Sequence, residues 1–478
     1  MITLAAQGIK LAVQISAIAI LARLLAPADF GLIAMITAVT GFLFLLKDGG
    51  LSMATMQSIV LSPQQVTNLF WINAGLGLTL MLITMALAPL VAWFYGEAKL
   101  VGATCAISLV FFMGGLHTQQ QAMLNRQMRY RLLAGIEISA MVAGAAAGVL
   151  WALAARNYWA LILMPLAQAA VSTLLYYLCC DWRPGLPKRL FETRAQLGFA
   201  GRLTVSGIAG YAARNADNLL IGWYWGAAAL GYYNQAYRLL LMPVRQINDP
   251  LTRIAVPVLS RLAREPDRFR RYFLGILGAI LWLTMPAVAL LVAFADTIIL
   301  LVLGPGWGET VVLFRALALA ALVQPVLNAL GWLYIATGRA GGFMKVSMVN
   351  AVVLIVAFAA ALPFGTGAMA WTFSGVVVGL MLPLTAIACR DTPVAMKDVI
   401  NTAASPVTLS VLMLCVALLS EDLLARWLER GLLAEAAAAL VSILCVLATA
   451  CVWKRSRQQL STLLPALRQS VLDGGGNG

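Results

Sequence analysis

Two clusters of charge sit inside stretches of otherwise apolar sequence. Arg214 and Asp217 are three residues apart, so on a helix they share a face, with Asn218 beside them. Further on, Arg238, Arg245, Asp249 and Arg253 follow at intervals of seven, four and four, a single polar stripe on a helix of Leu, Met, Val and Ile. A charge at the centre of a bilayer costs roughly 2.5–3.5 kcal/mol even on lenient insertion scales. Charges on one stripe must therefore face one another or water, and the chemistry they offer is that of a water-filled, cationic cavity. Charges snorkelling from helix ends are the alternative, which suits Arg253 better than Arg214 or Arg238.

The elements that must hold these residues are membrane helices. Hydrophobic residues make up 62% of the 478 and charged residues 11%, with a mean hydropathy of +0.88. A soluble domain has roughly 45–50% apolar and about 25% charged residues. No stretch alternates like an outer-membrane strand, and the first apolar segment lacks the charged flank and cleavage site of a signal peptide. The class is all-α and polytopic. A net charge of +14 is dispersed over short loops, where it meets anionic lipid headgroups rather than nucleic acid. The seven cysteines have no zinc or haem spacing and read as packing residues. No cofactor motif is present.

With about 20 residues per span, fourteen spans follow: 2–25, 30–46, 66–95, 100–124, 132–155, 158–180, 197–225, 230–262, 272–303, 311–337, 345–363, 368–388, 399–419 and 432–453. They divide into an N-terminal six-helix bundle (1–180), a linker rich in Pro and basic residues (181–196), a C-terminal six-helix bundle (197–389), two additional helices (390–453) and a tail (454–478). The fifth span is rich in Gly and Ala, which lets helices approach closely. Twenty basic residues fall in the even-numbered loops and the tail, against five in the odd loops (Arg23, Lys99, Arg156, Arg426 and Arg430). This asymmetry puts both termini in the cytoplasm.

The halves look related. Leu25-Ala26-Pro27-Ala28-Asp29-Phe30-Gly31 and Trp225-Gly226-Ala227-Ala228-Ala229-Leu230-Gly231 each join two spans, at an offset of 200, which also sets Gln14 on Arg214. Six spans per copy make the repeats parallel, and a substrate site lies between such repeats.

The segment Ala19-Ile20-Leu21-Ala22-Arg23-Leu24-Leu25-Ala26-Pro27-Ala28-Asp29-Phe30-Gly31-Leu32-Ile33-Ala34-Met35, continued by Asp48-Gly49-Gly50-Leu51-Ser52, resembles the opening signature of polysaccharide-transport flippases. These are the Wzx-like members of the multidrug/oligosaccharidyl-lipid/polysaccharide exporter superfamily. Ala229-Leu230-Gly231-Tyr232-Tyr233-Asn234-Gln235-Ala236-Tyr237-Arg238-Leu239 and the run from Pro250 to Leu262 are similar to that family's eighth span. The resemblance covers most of the chain and fades after about Arg390. It implies two pseudo-symmetric six-helix bundles forming a V around a central cationic cavity, plus two extra helices. It implies transport of undecaprenyl-pyrophosphate-linked oligosaccharide from the cytoplasmic to the periplasmic leaflet of the bacterial inner membrane. Implied partners are a polysaccharide polymerase and export machinery, and Na⁺ or H⁺ as a coupling ion. The short segment before span one departs from the family, which usually carries a basic one; either the start is downstream of the true one or that anchor is missing.

A pyrophosphate brings about two negative charges, and Arg holds phosphate bidentately with a fork of donors that stays charged. On this reading Arg214, Arg238 and Arg245, with Lys10 and Arg23, contact the headgroup. Asn215, Asn218, Gln14 and Gln246 hydrogen-bond sugar hydroxyls. Asp217 and Asp249 tune those arginines or bind a coupling cation or proton, and Glu137, a lone carboxylate inside a span, is a further ion-coupling candidate. Trp223, Tyr224, Trp225, Tyr232 and Tyr233 read as an interfacial aromatic belt rather than sugar platforms. His117 reads as a satisfied interfacial residue. Pro243, Pro250 and Pro257 are expected to kink span eight.

Two other classes stand beside this one. A cation-coupled drug exporter of the same superfamily calls for carboxylates and aromatics, whereas arginine dominates here. A glycan polymerase or ligase calls for a large periplasmic loop with a catalytic cluster, and the odd-numbered loops are short. No glycine-rich phosphate loop is present, which argues against ATP-driven transport.

Overall fold

The computed structural model describes residues 2–48, 63–186, 211, 215–424, 437–445 and 449. These residues are helical with short connections. The helices are α1 (Ile2–Leu24), α2 (Pro27–Asp48), α3 (Pro63–Tyr95), α4 (Lys99–Arg126), α5 (Tyr130–Ala155), α6 (Trp159–Cys179), α7 (Ala216–Leu262), α8 (Pro266–Ala293), α9 (Ala295–Val302), α10 (Gly308–Ala336), α11 (Ala340–Ala361), α12 (Thr366–Cys389) and α13 (Met396–Leu424). Among the described residues, eleven helices are long and apolar enough to cross a membrane. The chain is thus the multi-span α-helical membrane protein its composition implied. Of the expected elements, most of the linker, most of the seventh span, much of the fourteenth and the tail lie outside the described residues.

The chain forms two compact units: residues 1–234 with 301–307, and 235–300 with 308–478. In the first, α1 and α2 are joined by two residues. Pro27 opens α2 at the position where a missing N–H costs nothing, and the Asp29 carboxylate accepts the Ala26 N–H at 3.0 Å. In a bilayer, apolar burial gains little over lipid, so association depends on close backbone approach and polar bonds. The glycines of α5 serve this purpose. A Cβ on Gly144 would lie 2.6 Å from the Met164 carbonyl oxygen of α6, and one on Gly148 would lie 3.0 Å from that of Ala160.

The seventh helix is two helices. Its one residue with non-helical backbone angles is Gly226, at φ 79° and ψ −175°, while Pro243, Pro250 and Pro257 sit inside the helix. The hydroxyl of Tyr233 reaches Asp217, sixteen residues away, at 3.0 Å. A continuous helix would hold them about 24 Å apart. The chain therefore doubles back at Gly226, and α7 is a hairpin of two arms, residues 216–225 and 227–262. The expected turn of several residues is made by one, because only glycine adopts such angles without strain.

The repeated turns meet each other within the first unit. A Cβ on Gly31 would overlap the Ala227 carbonyl oxygen, and a Cβ on Gly231 would overlap the Pro27 carbonyl oxygen. Positions 27 and 31 thus oppose 227 and 231 reciprocally, as a local two-fold relation requires. Trp307 seals this crossing: its ring meets Phe30 at 5.3 Å and Tyr232 at 5.8 Å, and its indole N–H donates to the Ala22 carbonyl at 2.9 Å.

In the second unit, Phe269, Phe273, Leu277 and Leu281 of α8 pack with Leu330 and Leu333 of α10, Leu259 of α7 and Val399 of α13. Ser374 of α12 donates to the Ala316 carbonyl of α10 at 2.6 Å. Arg270 of α8 donates twice to Asp398 of α13, at 2.8 and 2.5 Å. The expected span 272–303 is broken at Phe294 into α8 and α9, with Asp296 in the first turn of α9. Arg315 of α10 pairs with that carboxylate, so the charge that interrupts the span is neutralised.

Candidate functional site

Three groups of charged and amide side chains among the described residues bear on the site expected from the sequence. The first lies on α1, α4 and α5 of the first unit. Lys10 donates to Glu137, and Gln121 approaches the other carboxylate oxygen at 3.4 Å. Lys10 stands four residues from the start of its span, Ala6–Leu24, and Glu137 seven from the start of Tyr130–Ala155. Gln14, one turn along from Lys10, is half-buried. His117 of α4 is bonded to Thr173 at 2.9 Å and stacked on Tyr176.

The second group surrounds the start of α7. Asp217 is buried and accepts from the Tyr233 hydroxyl and, at 2.8 Å, from the Asn218 N–H. Asn215 donates to the Tyr211 carbonyl at 2.9 Å, and Tyr211 to that of Thr37 at 2.6 Å. Arg214, the expected partner of Asp217, lies outside the described residues. The bond to Tyr233 departs from the aromatic-belt expectation: Trp223, Tyr224 and Trp225 are exposed, but Tyr233 is completely buried. Its hydroxyl needs a partner there, and the hairpin supplies one. Arg23, exposed at the end of α1, donates to the Leu301 carbonyl at 2.5 Å.

The third group lies on the long arm of α7 in the second unit. Arg238, Arg245, Gln246 and Asp249 are all exposed, whereas Leu240, Val244 and Asn248 between them are buried. The side chain of Arg253 lies outside the described residues. Asn248 escaped the sequence reading. Its side-chain oxygen and nitrogen meet no hydrogen-bond partner among the described residues, and the same holds for the amide oxygen of buried Gln235. Their spacing from Arg238 and Arg245 placed them on the flank of the stripe, and only packing reveals that they are enclosed. The 28 residues of the long arm within the second unit (235 to 262) amount to about 42 Å of helix, beyond a hydrocarbon core of about 30 Å. Neither arm of α7 is among the eleven apolar spans: the described short arm is only ten residues long, and amides and charges interrupt the long one.

The described helices thus carry cations, amides and carboxylates within a chain of apolar spans. Residues 20–312 match the family described as polysaccharide biosynthesis protein. The chain belongs to that family. It is 27% identical over 326 residues to the lipopolysaccharide biosynthesis protein WzxC of Escherichia coli (strain K12), covering 67% of this chain and 65% of that one. It is 28% identical to the teichuronic acid biosynthesis protein TuaB of Bacillus subtilis (strain 168), covering 63% of each. It is 24% identical to the succinoglycan biosynthesis transport protein ExoT of Rhizobium meliloti (strain 1021), covering 65% and 62%. The chain thus spans slightly less than two thirds of the length of these relatives. Its fold is similar to lipid II flippase MurJ in an inward closed conformation, with a TM-score of 0.75 at 13% identity over 94% of this chain and 98% of that one. An inward-facing multidrug resistance MATE transporter of the MOP superfamily follows at a TM-score of 0.63 and 13% identity, over 84% and 94%.

Proposed function

We propose that the chain moves an oligosaccharide linked to undecaprenyl pyrophosphate from the cytoplasmic to the periplasmic leaflet of the bacterial inner membrane, with both termini cytoplasmic. The reading rests on one observation above the others: Arg238 and Arg245 are exposed, seven residues apart, on a helix of a polysaccharide-biosynthesis membrane protein. Lipid cannot accommodate two guanidinium groups there, so a wet passage must. Their forks hold the pyrophosphate, with Arg214, Lys10 and Arg23 contributing further positive charge. Asn215, Asn218, Gln14 and Gln246 meet sugar hydroxyls, and Asp217, Asp249 and Glu137 balance the cations or couple transport to an ion. The passage opens alternately to the two membrane faces, and no covalent bond is made or broken. The bundles at 1–180 and 197–389, the linker 181–196 and the two helices within 390–453 belong to the same reading.

Flipping of a fluorescent undecaprenyl-pyrophosphate oligosaccharide in proteoliposomes tests it. Arg238→Ala and Arg245→Ala should insert normally and each lose at least tenfold in rate, as expected when a charge-assisted phosphate contact is removed. Wild-type rates in both variants would sink the assignment.

A further inference from the structure

The Lys10–Glu137 pair joins two membrane spans, and both side chains keep part of their surface uncovered. The Lys10 side chain retains 20% of its accessibility and that of Glu137 37%. Neither side chain is packed shut, so the ammonium keeps a free face that an anion in a wet passage would meet. On the same face of α1, Gln7 is exposed and Gln14 half-buried, which gives the ammonium a polar approach. The carboxylate has a second donor at hand in Gln121, at 3.4 Å, too long to hold it firmly. His117, on the same helix as Gln121, is engaged with Thr173.

We propose that Glu137 is a surrogate anion: it holds the Lys10 ammonium until a phosphate of the substrate takes its place. The inference rests on the flippase reading above and adds how the headgroup enters and leaves. An isolated ammonium inside a span is costly, as is an isolated carboxylate, so the empty protein keeps them paired. An arriving phosphate exchanges with the carboxylate at Lys10, and the carboxylate turns to Gln121 and to water. Binding is then an exchange of one anion for another, weaker than binding to a bare cation. The headgroup can leave because the displaced carboxylate competes to return. The residue type fits the task. A lysine ammonium is a compact charge on a flexible stem that can turn between two anions, whereas a guanidinium fork would clamp one of them.

Binding of undecaprenyl pyrophosphate to the purified full-length protein in nanodiscs tests the exchange. Removing the competitor with Glu137→Gln should tighten binding about tenfold, and Lys10→Ala should weaken it about tenfold, the scale of one close charge pair. In the Lys10→Ala background, Glu137→Gln should have no further effect. Glu137→Asp, which keeps the charge but shortens its reach, should bind with intermediate affinity and guards against misfolding of the Gln variant. Weaker or unchanged binding in both Glu137 variants would overturn the proposal, because a purely structural pair predicts loss on breaking it. Tightening that persists without Lys10 would overturn it too. Folded wild-type protein that fails to bind the probe at all would instead refute the flippase reading and the exchange with it.

Discussion

The hydroxyl of Tyr233 donates a 3.0 Å hydrogen bond to the Asp217 carboxylate across the break at Gly226. This one contact shows that the two arms of α7 lie side by side. It also gives a buried carboxylate a partner within the described residues. Tyr233→Phe should cost about 1.5–3 kcal/mol, the range for a hydrogen bond to a charged group. Thermal unfolding in detergent, run as a double-mutant cycle with Asp217→Asn, checks it. Additive effects would mean the bond contributes nothing.

Gly226 is the hinge of that hairpin, and its backbone angles lie where side chains are strained. A Cβ there would meet nothing within 4 Å, so the cost of Gly226→Ala is conformational alone, about 1–3 kcal/mol. A lower melting temperature with unchanged membrane insertion is the expected result. An unshifted melting curve would mean that the break lies elsewhere.

The reciprocal crossing of the two repeated turns makes a matched pair of predictions. Gly31→Val and Gly231→Val each push a side chain into the other turn's backbone, and backbone cannot rotate aside. Each should destabilise by about 1–3 kcal/mol or more, the range for overpacking. The two should be similar in size if the relation is a true local two-fold. One tolerated substitution would break the symmetry argument.

In the second unit, Asp398 carries two duties and Arg270 one. The carboxylate accepts from both Arg270 donors and from the Ala395 N–H at 3.0 Å, reaching back from the first turn of α13. That reach-back satisfies one of the helix's unpaired amides, as in a capping box. Asp398→Ala should therefore destabilise more than Arg270→Ala, by about 0.5–2 kcal/mol for the lost cap. Salt should diminish the Arg270 effect and leave the cap contribution in place. Equal losses would show that the cap is idle.

Much of the molecule could be read locally. The helical class, the spans and the family strings rest on composition and runs of neighbouring residues, since bilayer thickness alone demands stretches of a given length. The repeat at an offset of 200 was visible as two short turns. Their contact, Gly31 on Ala227 and Gly231 on Pro27, was not, because no one-dimensional pattern says that two copies touch.

The roles of Lys10 and Glu137 show the same division. Each stood out as a charge inside a span, and from sequence they belonged to different tasks. The fold brings them together across 127 residues, just as it joins Arg315 to Asp296 and Tyr233 to Asp217. The sequence by itself determined that charges must be present within the membrane and that something must compensate them. Which partner compensates which charge was decided by the tertiary structure, because pairing acts over a few ångströms and only helix packing sets which helices come that close.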